Sequence, residues 1–454
     1  MRRFFYILAV VTLLLSLSSC EDIVGVNDHE PEDEDILLSA GNYITFHADV
    51  NTRAGLQIAN YITDSFGIYG YQYDFAHEWS GQRAIAVPNV FWNENQSGEK
   101  VPLKVIYNSS NGLYNYYADN TPGGPPTDAE GERIGQVNWS NNRYAFWAYY
   151  PYVDDYDDND YIQIKHMDSE GMPFIEYTVD RGSASDGNID RYGDTDNMYD
   201  IMTGGKSQVT AASSGNTVTF TMSHRLSAVD VSISNAYQHN DGNNVTEDVD
   251  IYITDLKLTF ENLKYDKAKF YLEQDKSIPA LNTVLTPARN TTPTPEMMKA
   301  YYNIIDKADI VVDELDPIGP TTDKKTNITA DANATMTFIP QETTDLKVTA
   351  KIEYYMIGIG SGQRIPRLRV NEDGEPVLIG GQKIYDGLDS ETYVPDGGVM
   401  GNEFIEVTKT TDFEQALVEG TRYYIVLSFT SEAVSINIIT AEAWDDKVVE
   451  YEFM

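Results

Sequence analysis

One thiol occurs in 454 residues, at Cys20, and Glu21 and Asp22 follow it directly. With that sulfur used or removed the rest of the chain has no disulfide to form, so its stability must come from a hydrophobic core. The six histidines (His29, His47, His77, His166, His224 and His239) stand singly, without the spacing that metal ligation requires. His224, in "MSHRLS", reads as a packed, hydrogen-bonded strand residue. Two acidic stretches, "DDYDDNDY" (Asp154 to Tyr161) and "DGNIDRYGDTDN" (Asp186 to Asn197), offer oxygens at alternating positions that would suit calcium. Neither matches the twelve-residue calcium loop, with glycine at its sixth position and glutamate at its twelfth, so both read as solvated loops. "GIGSG" (358 to 362) follows a strand but lacks the helix and further glycine spacing of a phosphate cradle, and reads as a hairpin turn. There is no G-x-S-x-G, H-E-x-x-H or P-loop. The chain is therefore expected to be no enzyme and to need no cofactor and no metal.

The position of the thiol gives it a chemistry. Arg2 and Arg3 precede an apolar run from Phe4 to Leu15 and then small residues, the pattern of a secretory signal. The run is too short for a span that needs about 20 apolar residues. Leu17-Ser18-Ser19-Cys20 resembles the bacterial lipobox, in which the signal (residues 1–19) is removed and the cysteine sulfur is diacylated. Cys20 is then a lipid attachment site, palmitate being the usual kind of chain; the alternative is a cysteine discarded with an ordinary signal. Each buried methylene contributes only about 0.8 kcal/mol, so the two or three chains of a lipoprotein are what make an anchor stable. Residues 20–41 carry eight acidic side chains and no periodicity, and read as a disordered tether. Glu21-Asp22 looks like the acidic signal for export to the outer face of the outer membrane. Against 32 Lys and Arg stand 71 Asp and Glu, a formal charge of −39, which excludes nucleic acid as a partner.

From Asn42 onward the hydrophobic period is two. "YITFHADV" alternates Ile44, Phe46, Ala48 and Val50, and "SFGIYGYQY", "RYAFWAYYPY", "NTVTFTMSHRLSAVDVSIS", "VDIYITDLKLTF" and "TRYYIVLSFT" continue the pattern between Gly, Asn, Asp and Pro turns. Only "PTPEMMKAYYNIIDKAD" (293 to 309) offers a plausible helix. The fold class is all-β, with sandwiches over residues 42–210 and 211–454 and a polar boundary near residue 210. The 32 Tyr and 5 Trp supply core and cross-strand pairs or, alternatively, a sugar-stacking platform.

In order along the chain, "NTRA", "FGIYGY", "RYAFWAYYPY", "FTMSHRLSAVDVSI" and "GTRYYIVLSFTSEAVSINIITAEAWDD" resemble the landmarks of the Bacteroidetes fimbrillin (Mfa-like) family, from about residue 42 to the end. The resemblance implies two transthyretin-like β-sandwiches in tandem. It also implies assembly by strand exchange: a trypsin-like protease cuts behind the first strand, and another subunit's strand fills the vacated groove. The matching positions here are Arg53 and Ala54, the removable strand is Ile44 to Val50, and cleavage would also remove Cys20 with its lipid. Arg53 is otherwise an exposed turn arginine. The terminal "KVVEYEFM" could be a donor strand or a strand paired within its own domain. The function expected is a fimbrillin-like pilus subunit or pilus-associated surface lipoprotein that mediates adhesion at the cell outer membrane or in a fimbrium. Its partners would be other pilus subunits, the membrane through acylated Cys20, and a host or bacterial surface ligand or glycan. The alternative is a surface glycan-binding lipoprotein with no pilus role.

Overall fold

Alternating apolar and polar residues become strands along nearly the whole described chain. The computed structural model describes residues 44–50, 62, 65–73, 79, 93–94, 100–108, 113–116, 139, 142–153, 160–165, 172–185, 188–214, 217–240, 246–272, 284–287, 298–312, 326–327, 335–342, 344–371, 373–430 and 434–440. In chain order the principal strands are β1 (Thr45–Val50), β2 (Ser65–Tyr73), β3 (Leu103–Asn108), β4 (Leu113–Tyr116), β5 (Arg143–Tyr150), β6 (Ile162–Lys165), β7 (Phe174–Thr178), β8 (Met202–Val209) and β9 (Thr217–His224). They are followed by β10 (Ser227–Ala236), β11 (Thr246–Leu263), β12 (Tyr265–Tyr271), β13 (Val284–Pro287), β14 (Met298–Val312), β15 (Lys347–Gly358), β16 (Ile405–Asp412), β17 (Arg422–Thr430) and β18 (Val434–Thr440).

The first sheet has seven strands in the order β1-β9-β8-β5-β2-β3-β4. Strand alternation gives it two apolar faces. Phe66, Ile68, Tyr144, Phe146 and Ala148 point into one core, while Tyr69, Tyr71, Ala145, Trp147 and Tyr149 point into another. The second core is closed by a four-stranded sheet, β6-β7-β12-β13. On that face two large rings need glycine opposite them: a Cβ on Gly67 would lie 2.1 Å from the Tyr149 ring, and one on Gly205 would lie 2.1 Å from the Trp147 ring. Each glycine is the cross-strand partner of the ring that covers it. Strands from both sides of residue 210 share these sheets, since β9 completes the first and β12 pairs with β7 in the second.

The remaining strands form a sandwich of their own. β10 lies parallel to β17, and β17 is antiparallel to β18. Against them packs the antiparallel sheet β14-β11-β15-β16, and the core between is built from Val229, Val231, Ile253, Leu258, Ile352, Ile425 and Leu427 with their neighbours. β14 overturns the helix expected over 293 to 309. Tyr301, Tyr302, Ile304 and Ile305 are aromatic or β-branched, and the 18-residue β11 offers them a ladder running from Leu263↔Met298 to Ile251↔Val312. Long-range pairing overrides the local helical reading.

Candidate functional site

β1 lies at the end of the seven-stranded sheet, and among the described residues its strand pairing is with β9. The pairing is parallel, from Thr45↔Thr217 to Val50↔Met222, whereas the other ladders of that sheet are antiparallel. Parallel pairing is slightly weaker per residue. The side chains nevertheless penetrate the core: Ile44, Phe46 and Ala48 are 0%, 3% and 0% exposed. Burial of side chains such as Ile44 and Phe46 contributes about 1.5–3 kcal/mol each. Phe46 meets the rings of Tyr116, Phe146 and Phe220 at centroid distances of 5.3, 5.4 and 6.0 Å. Thr45, His47 and Asp49 face outward. There Thr45 Oγ1 lies 2.8 Å from Thr217 Oγ1, and His47 Nε2 lies 2.8 Å from Asp49 Oδ1.

The far side of β1 is held by side chains of β4. Tyr114 and Tyr116, two residues apart, share one face of their strand. The Tyr116 hydroxyl donates to the Ile44 carbonyl at 2.8 Å, and the Tyr114 hydroxyl donates to the Ile62 carbonyl at 2.7 Å. The Ile62 amide in turn donates to the Ala48 carbonyl at 3.2 Å. The two end strands of the sheet, β1 and β4, are therefore joined by the Tyr116 hydroxyl. The chemistry this arrangement offers is hydrogen bonding of an extended backbone over an apolar trough.

Three comparisons bear on what kind of protein holds this geometry. No family model matches the chain, and no curated protein does. Among solved structures it is similar to a fimbrial protein from Bacteroides vulgatus, with 18% identity and a TM-score of 0.46 over 88% of this chain and 99% of that one. It is also similar to candidate cell adhesion proteins from Bacteroides uniformis (15% identity, TM-score 0.34, 89% and 98% covered) and Bacteroides ovatus (13%, 0.37, 90% and 99%). At such identities and scores, the functional reading rests on the geometry of β1.

Cys20, Arg53 and Ala54 lie outside the described residues, as do the tether, His29, His77, His166, Asp154 to Asn159 and the terminal "KVVEYEFM". His224 is packed as its strand context suggests, with Nδ1 2.7 Å from Asp200 Oδ1. "GIGSG" is a turn at the end of β15, where the Gly362 amide donates to the Gly358 carbonyl at 2.8 Å. The second acidic stretch is organised around Asp180, just upstream of it. Arg191 Nη1 donates to Asp180 Oδ2 at 3.0 Å, Asn197 Nδ2 at 3.0 Å and the Asp194 amide at 3.2 Å. Burial alone would raise this carboxyl, but those donors outweigh it and hold Asp180 well below the usual carboxylate range. The same segment is tied to β14, the Gly193 amide donating to the Tyr301 carbonyl at 2.7 Å. Of the tryptophans, Trp79, Trp139 and Trp147 are buried in the two cores of the seven-stranded sheet.

Sequence reasoning missed Tyr114 and Tyr116, although "LYNY" carries the signal: two phenols at period two in a strand. It also missed Arg225, which follows His224 and is 2% exposed. Its Nη1 donates to Thr203 Oγ1 at 3.0 Å and its Nε lies 2.8 Å from Glu419 Oε1, joining β8 to the turn before β17. Burial lowers the pKa of its guanidinium, and Glu419 opposes that shift.

Proposed function

We propose that this chain is a cell-surface fimbrial or adhesion subunit that assembles by strand replacement, with β1 as the strand that is surrendered. One observation carries the reading. Among the described residues β1 pairs with one strand of the sheet, yet it supplies Ile44, Phe46 and Ala48 to the core. Its departure would expose the free edge of β9 and an apolar trough together, and strand addition satisfies both at once. Arg53 follows β1 by three residues, so cleavage behind Arg53 would free the strand with everything before it, including a lipid on Cys20. The subunit is thus tethered to the outer membrane by its acylated cysteine until the cut both releases it and opens the slot. No bond-making centre is required, and the function is assembly and contact with other surfaces. The glycan-binding alternative gains no support from Trp79, Trp139 and Trp147, which face the interior.

The test is intact-mass analysis of the surface protein before and after an arginine-specific protease. Loss of one fragment ending at Arg53 and carrying acyl chains, followed by ladder-forming oligomers that resist mild denaturant, is the expected result. A full-length lipidated monomer that stays monomeric would sink the reading.

A further inference from the structure

The slot has two walls. β9 pairs with the strand along a parallel ladder, with the Thr217 hydroxyl and the Phe220 ring beside it. We propose that Tyr114 and Tyr116 of β4 form the second wall and position the strand that enters. The partner they fit is an extended strand of a second copy with a branched aliphatic, an aromatic and an alanine-sized residue at alternate positions. This deepens the strand-replacement reading and rests on it.

The slot is occupied by β1 itself. The carbonyls of Ile44 and Ala48 both point away from β9. The first is taken by the Tyr116 hydroxyl, and the second by the Ile62 amide, whose own carbonyl is taken by the Tyr114 hydroxyl. Phenols accept any backbone as partner, so they fix depth and register and leave residue identity to the trough. The trough is specific in size: three rings lie about Phe46, and Ala48 is fully buried. Side chains in a strand alternate with a period of two, so a one-residue slip would turn the positions of Thr45, His47 and Asp49 into the core. It would also leave the Tyr116 hydroxyl and the Ile62 amide, which Tyr114 holds in place, without their acceptors, a loss comparable to the desolvation of each. The tyrosine pair therefore penalises a wrong register that the ladder by itself would accept.

Two measurements test this and separate it from the parent reading. In amide hydrogen exchange on the intact chain, Tyr116→Phe and Tyr114→Phe should each speed exchange across β1 about fivefold, and together about twenty-five-fold, with β2 and β5 unchanged. No change, or equal acceleration throughout the sheet, would overturn the positioning role. Protein nicked behind Arg53 is then offered fluorescent peptides spanning residues 43–50. The native peptide should be taken up, and its Ala48→Leu and Phe46→Ala forms at least tenfold less; uptake of the native peptide by Tyr116→Phe protein should lose its preference for that register. Equal uptake of all three peptides would overturn the inference alone. Uptake of none, with the exchange result as expected, would overturn strand replacement and reduce the two tyrosines to holders of β1.

Discussion

β1 and β16 are both edge strands, and they are opposite in construction. β1 buries three side chains completely or nearly so, presents an aromatic to the core and is bound by one parallel ladder. β16 buries only Ile405 below a tenth exposure and shows Glu406, Thr408, Thr410 and Asp412 to solvent along an antiparallel ladder with β15. Its charges, with Lys409, are the kind that discourage another strand from pairing there. β16 is also joined to the sandwich at both ends, whereas β1 is preceded by a segment that reads as a tether. A replaceable strand therefore needs core contacts, which reward the newcomer, and a terminal position, which lets the old strand leave. A guarded edge needs neither.

The comparison breaks first at Phe46. Phe46→Ala should destabilise the docking of β1 by about 3–5 kcal/mol, whereas Val407→Ala in β16 should cost about 1 kcal/mol, both read from urea unfolding and amide exchange. Equal costs would mean that the two edges are energetically alike. Next comes the joint between the seven-stranded sheet and the sandwich of β10, β11 and β14 to β18. Glu419→Gln removes the charge facing the buried Arg225 guanidinium and, with Glu419 itself partly exposed, should cost about 1–2 kcal/mol, with the two regions unfolding in separate steps by calorimetry if Arg225 couples them. Preserved stability and a single transition would show that Arg225 does not.

A pH titration sharpens the picture at lower amplitude. The unfolded Asp180 carboxyl takes a proton near pH 4, while the folded one, held down by Arg191, Asn197 and two amides, does so only at lower pH. Its contribution is therefore complete at neutral pH and is lost progressively as pH falls from about 4 toward the folded value. Denaturant midpoints should show this loss in the native protein and less of it in Asp180→Asn. Smallest of all is Lys347→Met. Its partner Asp412 lies 3.6 Å away and both side chains are about half exposed, so the change in stability should stay under about 0.5 kcal/mol and vanish at high salt.

Much of the fold was legible because strand burial has a period of two. Ile44, Phe46 and Ala48 were legible as one face of a strand, "GIGSG" as a turn, and His224 as a packed histidine, because each depends on neighbours a few residues away. β14 was misread for the converse reason. Its helix-compatible residues became a strand because β11, well upstream in the chain, presents a complementary ladder from Leu263↔Met298 to Ile251↔Val312. Asp180 and Arg225 gave no local sign of burial, since their partners come from distant parts of the chain.

By itself the sequence determined most of the strands, β14 excepted, which face of β1 is apolar, and how acidic the chain is, all of which follow from side-chain type and spacing. Only the tertiary structure decided that β1 runs parallel to β9, that it sits at an edge, and that the hydroxyls of Tyr114 and Tyr116 close over it. Those are relations between segments up to 172 residues apart, and nothing in local propensity specifies which backbone meets which.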